Sequence, residues 1–239
     1  MGPKVWFVGA GPGDPDLITV KGLSLLSDAD VLIYAGSLVN PVLIARSAAA
    51  IKLDSWGMKL EELVAAMEVP AKSGKTVVRL HSGDPSLYGA IVEQIEELEK
   101  RGIAVEIIPG VSSLFAAAAA LGSQLTLRGV SESLIITRPA GKTLEQDQIR
   151  ELSALGATMV VFLGTGKLGE ITRKLACPQD TPAVVVYHAS WPDQKIVRGT
   201  VADIAQKAQN EGIDHTALLI IGGVVDPIRK GYTRSYLYS

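Results

Sequence analysis

The chain has 239 residues, 47% of them apolar, and a net charge of −2 from 23 basic and 25 acidic side chains. That length suits one large domain or two smaller ones, and the charge balance excludes a basic nucleic-acid binder or a polybasic membrane-surface protein. The single cysteine, Cys177, excludes an internal disulfide and a multi-cysteine metal site. Met1 to Trp6 passes straight into a strand pattern without a charged segment and apolar stretch, and the apolar run around Ala116 to Ala120 is too short to span a bilayer. These features predict a cytoplasmic protein without membrane or nucleic-acid partners.

In chain order, Val5 to Val8 predicts a strand that ends in Gly9-Ala10-Gly11-Pro12-Gly13-Asp14-Pro15. This loop fails as a dinucleotide fingerprint. Asp14 stands where the third glycine of G-x-G-x-x-G belongs, and Pro12 removes an amide that a phosphate cradle needs. What remains is a rigid turn at a strand's carboxyl end. Thr19 to Ala29 has helical spacing, with Val20, Leu23, Leu25 and Leu26 as its buried side. Val31 to Tyr34 predicts a second strand, Ala35-Gly36-Ser37 a small turn, and Asn40-Pro41 the start of a helix. Ala48 to Leu53 and Thr76 to Leu80 read as strands. Leu60 to Lys72 and Ile91 to Arg101 read as helices, the second with Ile91, Ile95 and Leu98 facing inward.

Between strand and helix lies Arg79-Leu80-His81-Ser82-Gly83-Asp84-Pro85-Ser86-Leu87-Tyr88-Gly89. Asp84 and Pro85 read as the N-cap and first residue of a helix. Ala104 to Ile108 then leads into Pro109-Gly110-Val111-Ser112-Ser113, a glycine turn with hydroxyls at the start of a helix through Leu121. These turns would bring backbone amides, hydroxyls and a carboxylate to one sheet edge, where open α/β sheets bind ligands. Such a crevice suits a small molecule with amine or amide groups, and Asp14 and Asp84 oppose a triphosphate.

After Gly122 to Gly129 the pattern changes. Strands at Leu134 to Thr137, Thr158 to Leu163, Ala183 to Tyr187, Lys195 to Arg198 and Ala217 to Ile221 are predicted. Helices at Glu145 to Leu155, Lys167 to Ala176 and Val201 to Asn210 fall among them. Adjacent strand patterns around Trp191-Pro192-Asp193 imply antiparallel pairing and a mixed sheet. Two α/β domains are therefore expected, 1–122 with a mainly parallel sheet and 123–239 with a mixed one. His81, His188 and His215 have no ligand-type partner at helical spacing, so no metal site is expected; His81 alone falls in a candidate turn.

Five segments resemble the tetrapyrrole (corrin/porphyrin) methylase family, in that family's order: Val8 to Pro15, Arg79 to Pro85, Pro109 to Ser113, Val161 to Gly164 and Leu219 to Gly222. Tyr34-Ala35-Gly36-Ser37-Leu38-Val39-Asn40 and Val186 to Lys195 are similar to the branch that methylates C11 of precorrin-4. The resemblance implies an active site in a cleft between two α/β domains, with S-adenosyl-L-methionine as methyl donor and S-adenosyl-L-homocysteine as product. It implies cofactor contacts at Pro12, Ser82, Gly83, Asp84, Leu87, Ser112, Ser113, Leu163 and Ala189, and a homodimer.

The same resemblance makes a tetrapyrrole the small-molecule partner. Arg79 would face the cleft and pair with the macrocycle's carboxylates, with Lys59 and Arg128 as further candidates. Tyr34, Ser37 and Tyr88 would line its trough. Members acting on uroporphyrinogen III carry Asp after the tyrosine matching Tyr34, and here that position is Ala35. The rivals are a methylase acting on uroporphyrinogen III or another precorrin carbon, a diphthine synthase, and a non-catalytic cofactor sensor.

Overall fold

The computed structural model describes residues 2–226 and 231–238, and the side chain of Ser37 lies outside the described part. The chain divides into two compact units, Met1–Ser113 and Leu114–Ser239. The division falls after the first residue of the helix Ser113–Leu121, whereas the sequence pattern set it at 122/123, just behind that helix. That helix's small inner face, Ala116, Ala117 and Ala118, packs with Val160, Val184, Val186 and Ile220 of the second unit.

The first unit is a five-stranded parallel sheet. Its strands are β1 (Lys4–Gly9), β2 (Val31–Tyr34), β3 (Ile51–Asp54), β4 (Val77–His81) and β5 (Ala104–Ile108), in the order β3-β2-β4-β1-β5. The connecting helices are α1 (Val20–Ser27), α2 (Pro41–Arg46), α3 (Leu60–Lys72) and α4 (Ile91–Lys100). Parallel strands buried on both faces need near-continuous apolar sequence, and β4 is buried at all five positions. One face packs Val5, Phe7, Ile33 and Val77 against Leu63, Met67 and Leu98 of α3 and α4. The other packs Val8, Leu32, Val78 and Leu80 against Leu26 and Leu43 of α1 and α2. The neighbours β1 and β4 therefore send their following helices, α1 and α4, to opposite faces. That reversal is a topological switch point, and it opens a crevice outside the strands' carboxyl ends.

Two local expectations change here. Val20 is 90% exposed, while Gly22 and Leu26 are the buried residues of α1. A Cβ on Gly22 would stand 3.0 Å from Val8 Cγ1, so the helix approaches the sheet through a residue with no side chain. Asp84 caps no α-helix: Pro85 to Tyr88 is a turn, and α4 begins only at Ile91. Tyr88 and Ala90 adopt φ of 58° and 49°, and the chain folds so closely that a Cβ on Gly89 would lie 2.1 Å from the Pro85 carbonyl.

The second unit takes in α5 (Ser113–Leu121) from its second residue and holds β6 (Leu134–Thr137), β7 (Thr158–Val161), β8 (Pro182–Tyr187), β9 (Lys195–Thr200) and β10 (Ala217–Ile221). Their order is β6-β7-β10-β8-β9, with only β6 and β7 parallel. The sheet is mixed, as the alternating strand patterns implied. Its helices are α6 (Ile149–Ser153), α7 (Leu168–Lys174) and α8 (Ile204–Asn210). The α6 helix is much shorter than its sequence pattern, because Asp147 folds back to accept from Ala140 N and pairs with Lys174. No helix among the described residues is long and apolar enough to cross a membrane.

Candidate active site

Three strand ends meet at the switch point through glycine backbones. A Cβ on Gly9 would lie 2.5 Å from Gly110 Cα, and one on Gly110 would lie 2.2 Å from the Gly83 carbonyl. Gly11 and Gly83 exchange two backbone hydrogen bonds, Gly83 N to Gly11 O at 2.8 Å and Gly11 N to Gly83 O at 3.2 Å. Only glycine allows this approach, and Gly83 also takes φ of 61°. The loop Gly9 to Pro15 is further tied to the β2 end, since Asn40 donates through Nδ2 to the Gly13 carbonyl at 2.8 Å and caps α2 through Oδ1. Asn40 reads as a cap in sequence; its bond to a loop 27 residues earlier has no sequence signal.

Asp84 fastens the β4 and β5 loops together. Its Oδ2 accepts from Gly110 N at 2.8 Å, and its Oδ1 accepts from Ser86 N at 2.8 Å and from the Ser86 hydroxyl. Burial pushes the carboxyl pKa up. The bonds from the Ser86 hydroxyl, Gly110 N and Ser86 N outweigh burial and hold it below the ordinary carboxylate range. Pro12 and Ser112 are buried beside this seam in sequence, while Ser82, Leu87 and Ser113 are half-buried. The structure thus brings the ends of β1, β4 and β5, with the expected cofactor residues of the first unit, to one sheet edge.

Arg79 and His81 follow each other on one face of β4, the face that packs under α4. Arg79 is only 5% exposed, and its Nε donates to Gln94 Oε1 at 3.4 Å. Gln94 in turn donates to the carbonyl of left-handed Ala90 at 2.9 Å. Desolvation lowers the Arg79 pKa to about 10, partly opposed by the charge of Asp54. Burial, and then the Arg79 charge, take His81 down to about 3, so its ring is neutral in any ordinary buffer. Arg79 Nη1 and His81 Nε2 are both buried and find no hydrogen-bond partner among the described residues. Leaving such groups unpaired is costly, and they cluster where a polar ligand is taken. Gln94 escaped the sequence reading because it sits among the apolar inner residues Ile91, Ile95 and Leu98. Tyr34 is half-buried at the β2 end and Tyr88 is exposed in the turn before α4.

Leu163 follows β7 in the second unit, with φ of 55° and 65% exposure. A branched residue in that conformation is strained by about 1–3 kcal/mol, the kind of cost found at ligand sites. Ala189 follows β8, buried between two left-handed residues, His188 and Ser190. His188 stacks on Tyr187 at 3.8 Å and places Nδ1 2.9 Å from Asp193 Oδ2. Lys59 precedes α3, its backbone N–H donating to Glu62. Arg128 lies 3.7 Å from the Tyr236 ring centroid and donates to the Arg234 carbonyl, so the chain's own C-terminal segment engages it. The described residues contain no group of three His, Cys, Asp or Glu able to hold a metal.

A parallel sheet with a glycine-sealed switch point, carboxylates in its loops and a buried arginine whose Nη1 lacks a partner among the described residues fits a small-molecule crevice better than a nucleotide-phosphate cradle. Residues 4–205 match the Tetrapyrrole (Corrin/Porphyrin) Methylases, and the chain belongs to that family. It is 52% identical over 239 aligned residues to a cobalt-precorrin-4 C(11)-methyltransferase of Methanocaldococcus jannaschii, covering 98% of this chain and 92% of that one. A solved cobalt precorrin-4 methyltransferase, a cobalamin biosynthetic enzyme, is 45% identical with a TM-score of 0.90, over 94% of this chain and 96% of that one. A uroporphyrin-III C-methyltransferase from Thermus thermophilus, complexed with S-adenosyl homocysteine, is 30% identical with a TM-score of 0.77, over 93% of each chain.

Proposed function

We propose that the chain transfers the methyl group of S-adenosylmethionine to C11 of precorrin-4, or of its cobalt form, in cobalamin biosynthesis. One observation carries the reading: the glycine- and carboxylate-built crevice occurs in a chain 45–52% identical, over nearly its full length, to proteins named for that reaction. The reading extends to a homodimer, as the family resemblance implies, and to the cytoplasm, which the single Cys177 supports.

The cofactor supplies an electrophilic methyl group on a sulfonium that its own charge activates for in-line displacement by a macrocycle carbon. The donor set of this chain fits such a group. Asp14 and Asp84 place negative charge in the loops and suit a cationic sulfonium and ammonium better than a phosphate. Pro12, Ser82, Gly83, Asp84, Leu87, Ser112 and Ser113 hold the cofactor from the first unit, and Leu163 and Ala189 are the contacts assigned to the second. Arg79 takes a carboxylate of the macrocycle, which gives its orphaned Nη1 a partner. Tyr34 and Tyr88 line the trough. Ala35 leaves no carboxylate beside Tyr34, which favours precorrin-4 over uroporphyrinogen III.

Protein mixed with isotopically labelled S-adenosylmethionine and precorrin-4 is expected to give a product one methyl group heavier, with the label at C11 by NMR. Label at another carbon would move the assignment to a different methylase of the pathway. Cofactor binding by calorimetry with no methyl incorporation would leave a non-catalytic sensor. A variant separates substrate binding from folding. Arg79→Met exchanges a buried, half-satisfied charge for an apolar chain of similar length, so stability should hold or rise by about 1 kcal/mol. Methylation of precorrin-4 should fall sharply while S-adenosylhomocysteine binding stays. Unchanged KM for precorrin-4 in that variant would remove Arg79 from the substrate site.

A further inference from the structure

The corner after β3 carries a side chain that the site so far leaves unused. Trp56 is 84% exposed, although a buried indole is among the largest single apolar contributions a chain can make. The corner is not loose. Asp54 Oδ1 accepts from Trp56 N at 2.9 Å and from Gly36 N at 3.1 Å, so one carboxylate oxygen holds the β3 corner and the β2 turn together. Ser55 adds two bonds to the Tyr34 carbonyl, from N and from Oγ, each at 2.9 Å. The indole rests beside Gly36, where a Cβ would come within 3.5 Å of its Cε3. Leu38, in the same turn, is also exposed. Through β2 the corner is two strands from β4, since Tyr34 pairs with Asp54 on one side and with Leu80, the residue after Arg79, on the other.

We propose that Trp56 is a substrate-contacting residue, its indole forming an apolar wall for the flat face of the tetrapyrrole at the carboxyl ends of β2 and β3. This rests on the methylase reading above. The occupant follows from the chemistry of the corner. A macrocycle offers a broad π-face to an exposed indole and ring-edge carboxylates to the orphaned Arg79 N–H groups. The cofactor does not compete for this place, because the cofactor seam lies at β1, β4 and β5, and β3 is the far edge of the sheet in the order β3-β2-β4-β1-β5. The exposed position also means that replacing Trp56 leaves the core of the unit as it is.

The test compares wild type, Trp56→Ala and Trp56→Phe with precorrin-4 and S-adenosylmethionine. Trp56→Ala is expected to raise KM for precorrin-4 about tenfold with a smaller change in kcat, and Trp56→Phe to recover most of the loss. The Kd for S-adenosylhomocysteine by calorimetry should be the same in all three. Titrating precorrin-4 should also quench a tryptophan emission component that both variants lack, leaving Trp6 and Trp191 as the unquenched background. Equal KM and equal quenching in wild type and Trp56→Ala would overturn the Trp56 assignment while the methylase reading stands. A wild-type protein that neither binds nor methylates precorrin-4 would overturn both.

Discussion

Replacing Gly110 by alanine is expected to lower the melting temperature by about 9–24 °C and to abolish measurable S-adenosylhomocysteine binding. The new methyl group would stand 2.2 Å from the Gly83 carbonyl and 2.8 Å from Gly9 Cα. All of these neighbours are backbone, so no side chain can swing aside. The β4 and β5 loops must separate, and the 2.8 Å bond from Gly110 N to Asp84 Oδ2 is lost with them. Overpacking of this kind costs about 3 kcal/mol, and the lost charge-assisted bond adds about 1.5–3 kcal/mol. Gly102→Ala is the control. Gly102 has φ of 73° but nothing within 4 Å of its Cβ position, so that change carries only the left-handed strain, about 1–2 kcal/mol. Thermal melts of the two variants separate crowding from conformation. If Gly110→Ala melts no lower than Gly102→Ala, the glycine seam is not what holds the crevice.

Much of the fold was legible because each element carries its own period. The fully buried β4 reads as an unbroken apolar run, and Asn40-Pro41 announces α2 with a cap and a first-turn proline. What escaped were places where tertiary contact outweighs local pattern. Val20 has the right spacing for burial, yet close packing at Gly22 turns it to solvent. Asp84-Pro85 has helix-cap chemistry, yet its carboxylate reaches 26 residues ahead to Gly110, and the chain makes a turn. The long apolar period before Leu155 shrinks to the five residues of α6 because Asp147 is drawn toward Ala140 and Lys174.

The site was legible as loops more than as atoms. Sequence placed the turns at Gly9, Gly83 and Gly110, because glycine at a strand end marks close approach. It did not show that those three glycines touch one another. Arg79 was read from its place before the turn; that it lies on the α4 face of β4, with its Nε donating to Gln94, had no sequence signal. Strand parity alone predicts that Val77, Arg79 and His81 share a face, but not which helix covers it. Trp56 had no sequence signal at all. Its exposure and its link to Gly36 through Asp54 appear only once β2 and β3 are neighbours.

Asp84→Ala is expected to have the second-largest effect, and to act on stability and ligand binding together. The substitution leaves Gly110 N and Ser86 N without their acceptor, a loss of about 2–3 kcal/mol for a charged acceptor in a half-buried seam. Affinity for S-adenosylhomocysteine should fall by about tenfold or more, since two of the loops that form the proposed seat lose their common anchor. Asp84→Asn separates the two effects. Its Oδ1 can still accept from Ser86 N, but its amide cannot accept from Gly110 N and carries no charge for a sulfonium. The pH dependence gives an independent check. The folded-state pKa of Asp84 lies below the unfolded value, so its contribution is fully present above the unfolded carboxylate pKa of about 3.9. It is lost as pH falls below that value and through the folded pKa. Between pH 7 and 5 the stability gap between wild type and Asp84→Asn should therefore be constant, and it should close in stronger acid. A gap that already closes by pH 6 would show that Asp84 titrates far above the position its three hydrogen bonds impose. The seam would then owe its closure to the glycines alone.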